Sequence, residues 1–301
     1  LYVNSMVRTV TTNDEGKASG VSFIDKEENK EYKLKGKVVV LAASACSSAR
    51  ILLNSKSKQH PNGLGNSSDL VGRYLHDSTG GDMMAFIPEL INRKTYNEDG
   101  VGGMHVYSPW WLDNKNLDFA RGYHIEVWGG LGAPSYGTGF NVNSFNKFFG
   151  INKAGGYGNS LRDDMKKYYG STIGLSGRGE SIAQKSNYCE IDPNKVDKYG
   201  VPVLRFNYNW TDNEIKQAKH MQDTFEEIIH NMGAIPLWGK PGKDANYGLT
   251  KPGQIIHEVG TTRMGSSPKN SVVNEYERLH DVSNVYVVDA GPFVSQADKN
   301  P

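Results

Sequence analysis

The sequence predicts a mixed fold, α/β at its two ends and α+β between them, and three observations predict it. Residues 37–43, Lys-Val-Val-Val-Leu-Ala-Ala, form a short apolar run rich in β-branched side chains, which suits a strand covered on both faces as in a parallel sheet. Residues 284–291 repeat that character near the other end, closing on Asp289-Ala290-Gly291. Between them, residues 203–210 alternate apolar and polar side chains, the period of a half-buried antiparallel strand.

Each element follows from its residues. Val3, Val7 and Val10 lead into the turn signal Asp14-Glu15-Gly16, with a second strand over residues 18–24 and a short third over 31–34, broken at Lys35-Gly36. The 37–43 strand passes through the small residues Ser44, Ala45, Ser47, Ser48 and Ala49 into a helix at residues 50–54. Strand, small-residue turn and helix form the unit that lets a backbone approach a phosphate at a helix N-terminus, although small residues also serve ordinary strand–helix packing. Residues 56–80 are polar and turn-rich and read as an excursion loop. Residues 83–87, 122–128 and 171–175 read as strands separated by glycine-rich turns. Thr211, with Glu214 three residues later, makes a capping box that opens a helix. Ile215, Ala218, Met221, Phe225 and Ile228 or Ile229 sit along one helical face that ends at Met232-Gly233. The expected division is 1–80, 81–250 and 251–301, the last returning to the style of the first.

Composition narrows the function classes. A chain of 301 residues allows roughly two domains. Its 37% hydrophobic and 22% charged residues can build a core. Lys plus Arg number 34 against 33 Asp plus Glu, so a net charge of +1 provides no global electrostatic reason for binding nucleic acid or an anionic membrane. No apolar run approaches the ~18 residues of a membrane-spanning helix. Two cysteines, Cys46 and Cys189, are too few for a disulfide scaffold or a cysteine zinc site, and no metal is expected. The chain opens on Leu1-Tyr2-Val3 and closes on Asn300-Pro301, which reads as an internal piece of a longer protein whose compartment is left open.

His257 is the first candidate for chemistry. An apolar pair, Ile255-Ile256, leads to it, and the glycine-bounded run Val259-Gly260-Thr261-Thr262-Arg263-Met264-Gly265 lets backbone pass close to something flat or bulky. A neutral imidazole can accept a proton from an alcohol. Asn300-Pro301 is the second: Asn is a favoured N-cap and Pro a favoured first helical residue, and the helix end they would open could stabilise an anion. Residues 233–240 fail as a phosphate loop because Pro241 follows Lys240 where a Ser/Thr magnesium ligand belongs. Neither a G-x-S-x-G elbow nor an H-E-x-x-H pair occurs. The aromatics from Tyr107 to Trp111 would line a ring-shaped ligand or pack against a sheet.

Four blocks in order, His257-Glu258-Val259-Gly260-Thr261-Thr262-Arg263-Met264-Gly265, Ser271-Val272-Val273-Asn274, Asn284-Val285-Tyr286-Val287-Val288-Asp289-Ala290-Gly291 and Asn300-Pro301, resemble the C-terminal signature of glucose–methanol–choline (GMC) flavoprotein oxidoreductases. Residues 42–52 resemble the strand-to-helix turn of that family's flavin domain. Residues 65–75 and Tyr199-Gly200-Val201-Pro202-Val203 resemble its gluconate-dehydrogenase-like, sugar-oxidising members. The resemblance implies a partial FAD-binding Rossmann-like domain with an antiparallel-sheet substrate domain. It implies FAD-dependent oxidation of an alcohol group on a sugar, polyol or sugar acid, with His257 as the base and hydride passing to flavin N5. Asn300 would hydrogen-bond the substrate oxygen. Val7 would contact the adenine through its backbone, Ala43 and Ser44 would lie along the flavin nucleotide, Asp289 and Ala290 along the ribityl and pyrophosphate portion, and Pro301 would start the helix under the pyrimidine edge. Ser44 stands where the family usually has Gly, Gly291 where Ser is common, and Ser78 where His often stands; the G-x-G-x-x-G turn is not in these 301 residues. The resemblance further implies a small partner subunit and a cytochrome as electron acceptor, in the periplasm. A non-catalytic flavin-family subunit or a carbohydrate-binding module is the alternative.

Overall fold

The computed structural model describes residues 1–93, 105–110, 115–129, 158–168 and 170–300. Its elements run β1 (Ser5–Thr12), β2 (Ala18–Asp25), β3 (Lys30–Lys35), β4 (Val39–Leu41), α1 (Ala45–Asn54), β5 (Thr79–Phe86), β6 (His105–Pro109), β7 (Tyr123–Gly129), α2 (Asn159–Tyr168), β8 (Thr172–Gly179), β9 (Tyr188–Val196), β10 (Pro202–Asn207), α3 (Asp212–Asn231), β11 (Ile235–Pro236) and β12 (Val285–Val287). The predicted α/β plus α+β class is what the chain adopts. Its residues divide into two compact units, the first built from 1–78, 181–210 and 252–301, the second from 79–180 and 211–251. Residues 181–210, expected in the middle segment, therefore belong with the ends.

In the first unit, β1, β2 and β3 form an antiparallel meander, turned at Gly16 as the sequence predicts. β4 pairs in parallel with β12, Val39 opposite Val285 and Leu41 opposite Val287, so the two apolar runs meet across the length of the chain. Within this chain Val39 and Leu41 are buried, whereas Val40 is 57% exposed. The cluster formed with Ala49, Leu52 and Leu53 of α1 lies on the side of Val39 and Leu41. The antiparallel hairpin β9–β10 also joins this unit. Arg50 of α1 pins it, donating to the Asp197 carboxylate at 2.8 Å and to the carbonyls of Val201 and Pro202.

The second unit is a five-stranded antiparallel sheet in the order β11-β5-β8-β7-β6, with α3 packed on it. Alternation in the strands puts Met83 and Ala85 of β5, Tyr123 and Ile125 of β7, and Ile173 and Leu175 of β8 in one cluster with Met221, Phe225 and Ile229 of α3. The predicted capping box is present: Thr211 caps the first turn, and the Glu214 carboxylate accepts the Thr211 N–H at 2.8 Å. Tyr107 is exposed and meets the His124 ring edge-on, while Trp110 packs near Tyr123 and His220. Trp111 lies outside the described residues.

Candidate active site

The site is assembled within the first unit from three stretches that are remote in sequence. The loop at residues 74–78 and the loop at 257–260 run side by side: the His76 N–H donates to Val259 O (3.1 Å), and the Val259 N–H donates back to His76 O (2.9 Å). Gly260 makes that approach possible. It sits at φ +94°, and a Cβ there would lie 2.3 Å from the Tyr74 carbonyl oxygen. Just upstream, Ile256 holds φ +61°, a left-handed conformation that β-branched side chains avoid, and its side chain is 73% exposed. The apolar pair before His257 thus does not enter the core as a pair; the chain turns sharply there and presents a half-buried His257.

His257 is held from every side the loops provide. Its main-chain N–H donates to Asp77 Oδ1 at 2.9 Å, which also accepts the Ser78 N–H at 2.8 Å. Its carbonyl accepts from Gln296 Nε2 at 2.7 Å, and the same amide nitrogen donates to Ser78 Oγ at 2.9 Å. Ser78 Oγ lies 3.3 Å from His257 Nδ1. Ser78 is fully buried and Gln296 nearly so. Asp77 is buried as well. Its own main chain is tied to Tyr208, whose hydroxyl accepts the Asp77 N–H, and to Ser181, whose hydroxyl donates to the Asp77 carbonyl. Burial lifts the Asp77 carboxyl above its ordinary 3.8, against the two N–H groups that pull it down, and neighbouring Glu258 adds to the rise.

A second cluster lies around the N-terminus of α1. Ser44 has φ +84° and ψ 156°, the backbone region in which glycine is at ease, so the position behaves as the Gly it replaces in the family pattern. Ala43 and Ser44 are exposed, the first turn of α1 carries no acidic side chain, and the Ser44 side chain does not cap it. Ala43 N–H donates to Ser48 Oγ (3.3 Å), and the Ser48 hydroxyl donates to Asp289 Oδ2 (2.5 Å). Asp289 Oδ1 accepts the Gly291 N–H. The Ala290 carbonyl accepts the Gly260 N–H, and the Thr261 hydroxyl donates to Ala45 O. The structure thus brings Ala43, Ser44, Asp289, Ala290 and the His257 loop into one connected set. Cys46, on the same turn, packs at the core that holds Cys189; contact with that thiol and burial push its own upward. Both cysteines are free.

Other expected residues are placed less centrally. Val7 is half-buried in β1, at an irregularity in its pairing with β2. Asn300 is exposed, just beyond the Lys299–Asp298 ion pair, and residues 298–300 are not helical; among the described residues it makes no hydrogen bond to His257. Pro301 lies outside the described residues. Sequence reasoning missed Asp77 and Gln296, and met Ser78 only as a departure from the family pattern. No local motif marks them, since their bonds span 180 residues from Asp77 to His257 and 218 from Ser78 to Gln296.

Comparison with known proteins places this arrangement. Two family models, both described as GMC oxidoreductase, match residues 2–79 and 184–301. The chain is 28% identical to 2-methyl-1,2-propanediol dehydrogenase of Mycolicibacterium austroafricanum, over 100% of this chain and 51% of that protein. It is 28% identical to the gluconate 2-dehydrogenase flavoprotein of Pantoea cypripedii, over 98% of this chain and 46% of the relative. With the fructose dehydrogenase large subunit of Gluconobacter japonicus it shares 23% identity, over 99% and 50%. The chain thus spans about half the length of these relatives. Among solved structures it resembles formate oxidase of Aspergillus oryzae (TM-score 0.65, 12% identity, 98% of this chain and 57% of that one). Pyridoxine 4-oxidase from Mesorbium loti is similar too (TM-score 0.60, 16% identity, 98% and 53%), and both likenesses are of fold. The paired family models, which together span both ends of the chain and include Asp77, Ser78, His257 and Gln296, establish that the chain belongs to the GMC oxidoreductase family.

Proposed function

We propose that the protein carrying this chain oxidises an alcohol group on a sugar, polyol or sugar acid with FAD as its cofactor. The observation that carries the reading is the clamp on His257: a half-buried imidazole whose main chain is fixed at both its N–H and its carbonyl. The residues present fit part of that cofactor. The uncapped, acid-free first turn of α1 offers N–H donors suited to a phosphate, behind an exposed turn that Ser44 completes in a glycine-like conformation. Asp289 is held beside that turn through Ser48.

When bound, FAD supplies the hydride acceptor. In the chain's own part of the reaction, His257 takes the proton from the substrate hydroxyl, which makes departure of the carbon-bound hydrogen easier. The carboxamide of Asn300 hydrogen-bonds the same oxygen and steadies the negative charge that develops there. Asp77 and Gln296 keep the imidazole from drifting, and positional error of this kind is costly to such steps. The named substrates of the relatives suggest the panel to test: a branched diol, gluconate and fructose. One relative is named as a large subunit, which supports a partner subunit, with a cytochrome acceptor and a periplasmic location as parts of the same proposal.

The test is anaerobic. Flavin-loaded protein should bleach when the right alcohol from the panel is added, and His257→Ala should slow bleaching by a factor of ~100 or more while the flavin stays bound. Unchanged reduction kinetics would remove His257 from the reaction. A protein that binds flavin but bleaches with none of the panel would favour a non-catalytic subunit.

A further inference from the structure

We infer that Ser78 and Gln296 are positioning residues that select the tautomer of His257, so that the neutral imidazole rests with its hydrogen on Nε2 and its lone pair on Nδ1. The argument runs through four atoms whose roles are fixed in turn. The His257 carbonyl can only accept, so the group 2.7 Å from it is the NH2 of Gln296. The opposite flip of that amide would set oxygen against oxygen. The second hydrogen of the same nitrogen then points to Ser78 Oγ at 2.9 Å, where the serine oxygen must accept. The serine keeps its own hydrogen. Ser78 is 0% exposed, so water does not reach that hydrogen, and the other polar atom at its hydroxyl among the described residues is His257 Nδ1, 3.3 Å away.

Two arrangements satisfy the distances. If Nδ1 carries the ring hydrogen, it donates to Ser78 Oγ, and the serine hydrogen is left without an acceptor in a dry site, a loss that buried donors rarely tolerate. If Nδ1 carries the lone pair, the serine hydrogen is satisfied and the chain Gln296 N–H to Ser78 O–H to His257 Nδ1 is complete. The second is preferred. Asp77 Oδ1, by accepting both the Ser78 and the His257 N–H, holds the two ends of the serine–histidine contact in register. Nothing local in the sequence announces this arrangement, because the three side chains come from residues 78, 257 and 296.

The meaning for catalysis rests on the reading of His257 as the base. At rest the ring would meet an alcohol oxygen as a donor from Nε2, orienting it, and would accept a proton at Nε2 only after the ring hydrogen has moved to Nδ1 and the serine hydroxyl has turned. Ser78 thereby holds back the proton-accepting form.

The test is independent of turnover. Protein labelled with 15N-histidine, holding its flavin and kept above the titration of the ring, is observed through two-bond 15N–1H correlations, with His257→Asn assigning the signals. The expected wild-type result is a pyridine-type Nδ1 and a pyrrole-type Nε2. Ser78→Ala should lose that preference, its two nitrogen shifts converging, and Ser78→Thr, which keeps the hydroxyl, should restore it. A pyrrole-type Nδ1 in the wild-type protein would overturn the inference, even if neither variant folds. So would a Ser78→Ala spectrum identical to wild type. Because the spectrum reads the ring and not the reaction, a His257→Ala protein that still bleaches at full rate would defeat the base reading and leave the tautomer assignment standing.

Discussion

At the scale of single residues, the candidate site stores strain and an awkward charge in adjacent places. Ile256 occupies a left-handed conformation one residue before His257, and such positions cost about 1–3 kcal/mol. Its side chain is 73% exposed, so little burial is lost on removing it. Ile256→Gly should therefore raise stability by about 1 kcal/mol, read as a higher thermal midpoint; a lower midpoint would show that the side chain is anchored rather than strained. Asp77 provides a pH test. Its carboxyl is raised in the fold, chiefly by burial, so the fold favours the protonated form. That contribution is fully present below the unfolded value near 3.8 and is lost as pH rises through the raised folded value. Asp77→Asn keeps an acceptor for the two N–H groups and cannot ionise. The stability of wild type relative to this variant should fall as pH rises from about 4, and a flat difference across denaturation curves would contradict the burial of a charge there.

At the scale of elements, α3 shows how much a local pattern can determine. Thr211 and Glu214 cap it reciprocally, and Thr211→Ala should cost about 1 kcal/mol in chemical denaturation, with Thr211→Ser close to wild type. Its apolar stripe lies on the sheet through Met221, Phe225 and Ile229, all essentially inaccessible, so Phe225→Ala should cost about 3–5 kcal/mol. A loss under 1 kcal/mol would mean that the helix face was assigned wrongly. The capping box and the period of 3.6 made this helix legible, as the β-branched run 37–43 made β4 legible. Hairpin β9–β10 was only half seen: β10 alternates clearly, while β9 carries Pro193 and charged residues that mask its strand character.

At the scale of the whole chain, the first unit is stitched together from three segments that share one apolar core, and polar links add to it. Arg50 links α1 to the turn of β9–β10, 147 residues away from its partner Asp197. Burial raises the Asp197 carboxyl, but the Arg50 hydrogen bond and two backbone N–H groups outweigh it and hold the group below its ordinary value. Its stabilising contribution is therefore present above the unfolded pKa and disappears as pH falls through the lower folded one. Arg50→Met should cost about 2 kcal/mol at neutral pH, between an exposed and a fully buried pair, with the deficit shrinking in acid as wild type loses the same contact. An equal deficit at both pH values would assign the loss to packing of the arginine stem.

The sequence by itself determined the class of fold, the identity of most strands, and the presence of α1 and α3, because each rests on neighbours within one turn or one strand; α1 begins at Ala45, inside the stretch of small residues expected to turn, and His257 was nominated as the candidate base. Only the tertiary structure decided that residues 181–210 join the ends of the chain and that Asp77, Ser78 and Gln296 converge on His257. Those facts depend on hydrogen bonds closed across as many as 218 residues, and a buried Gln or Asp has the same letters as an exposed one until its partners arrive.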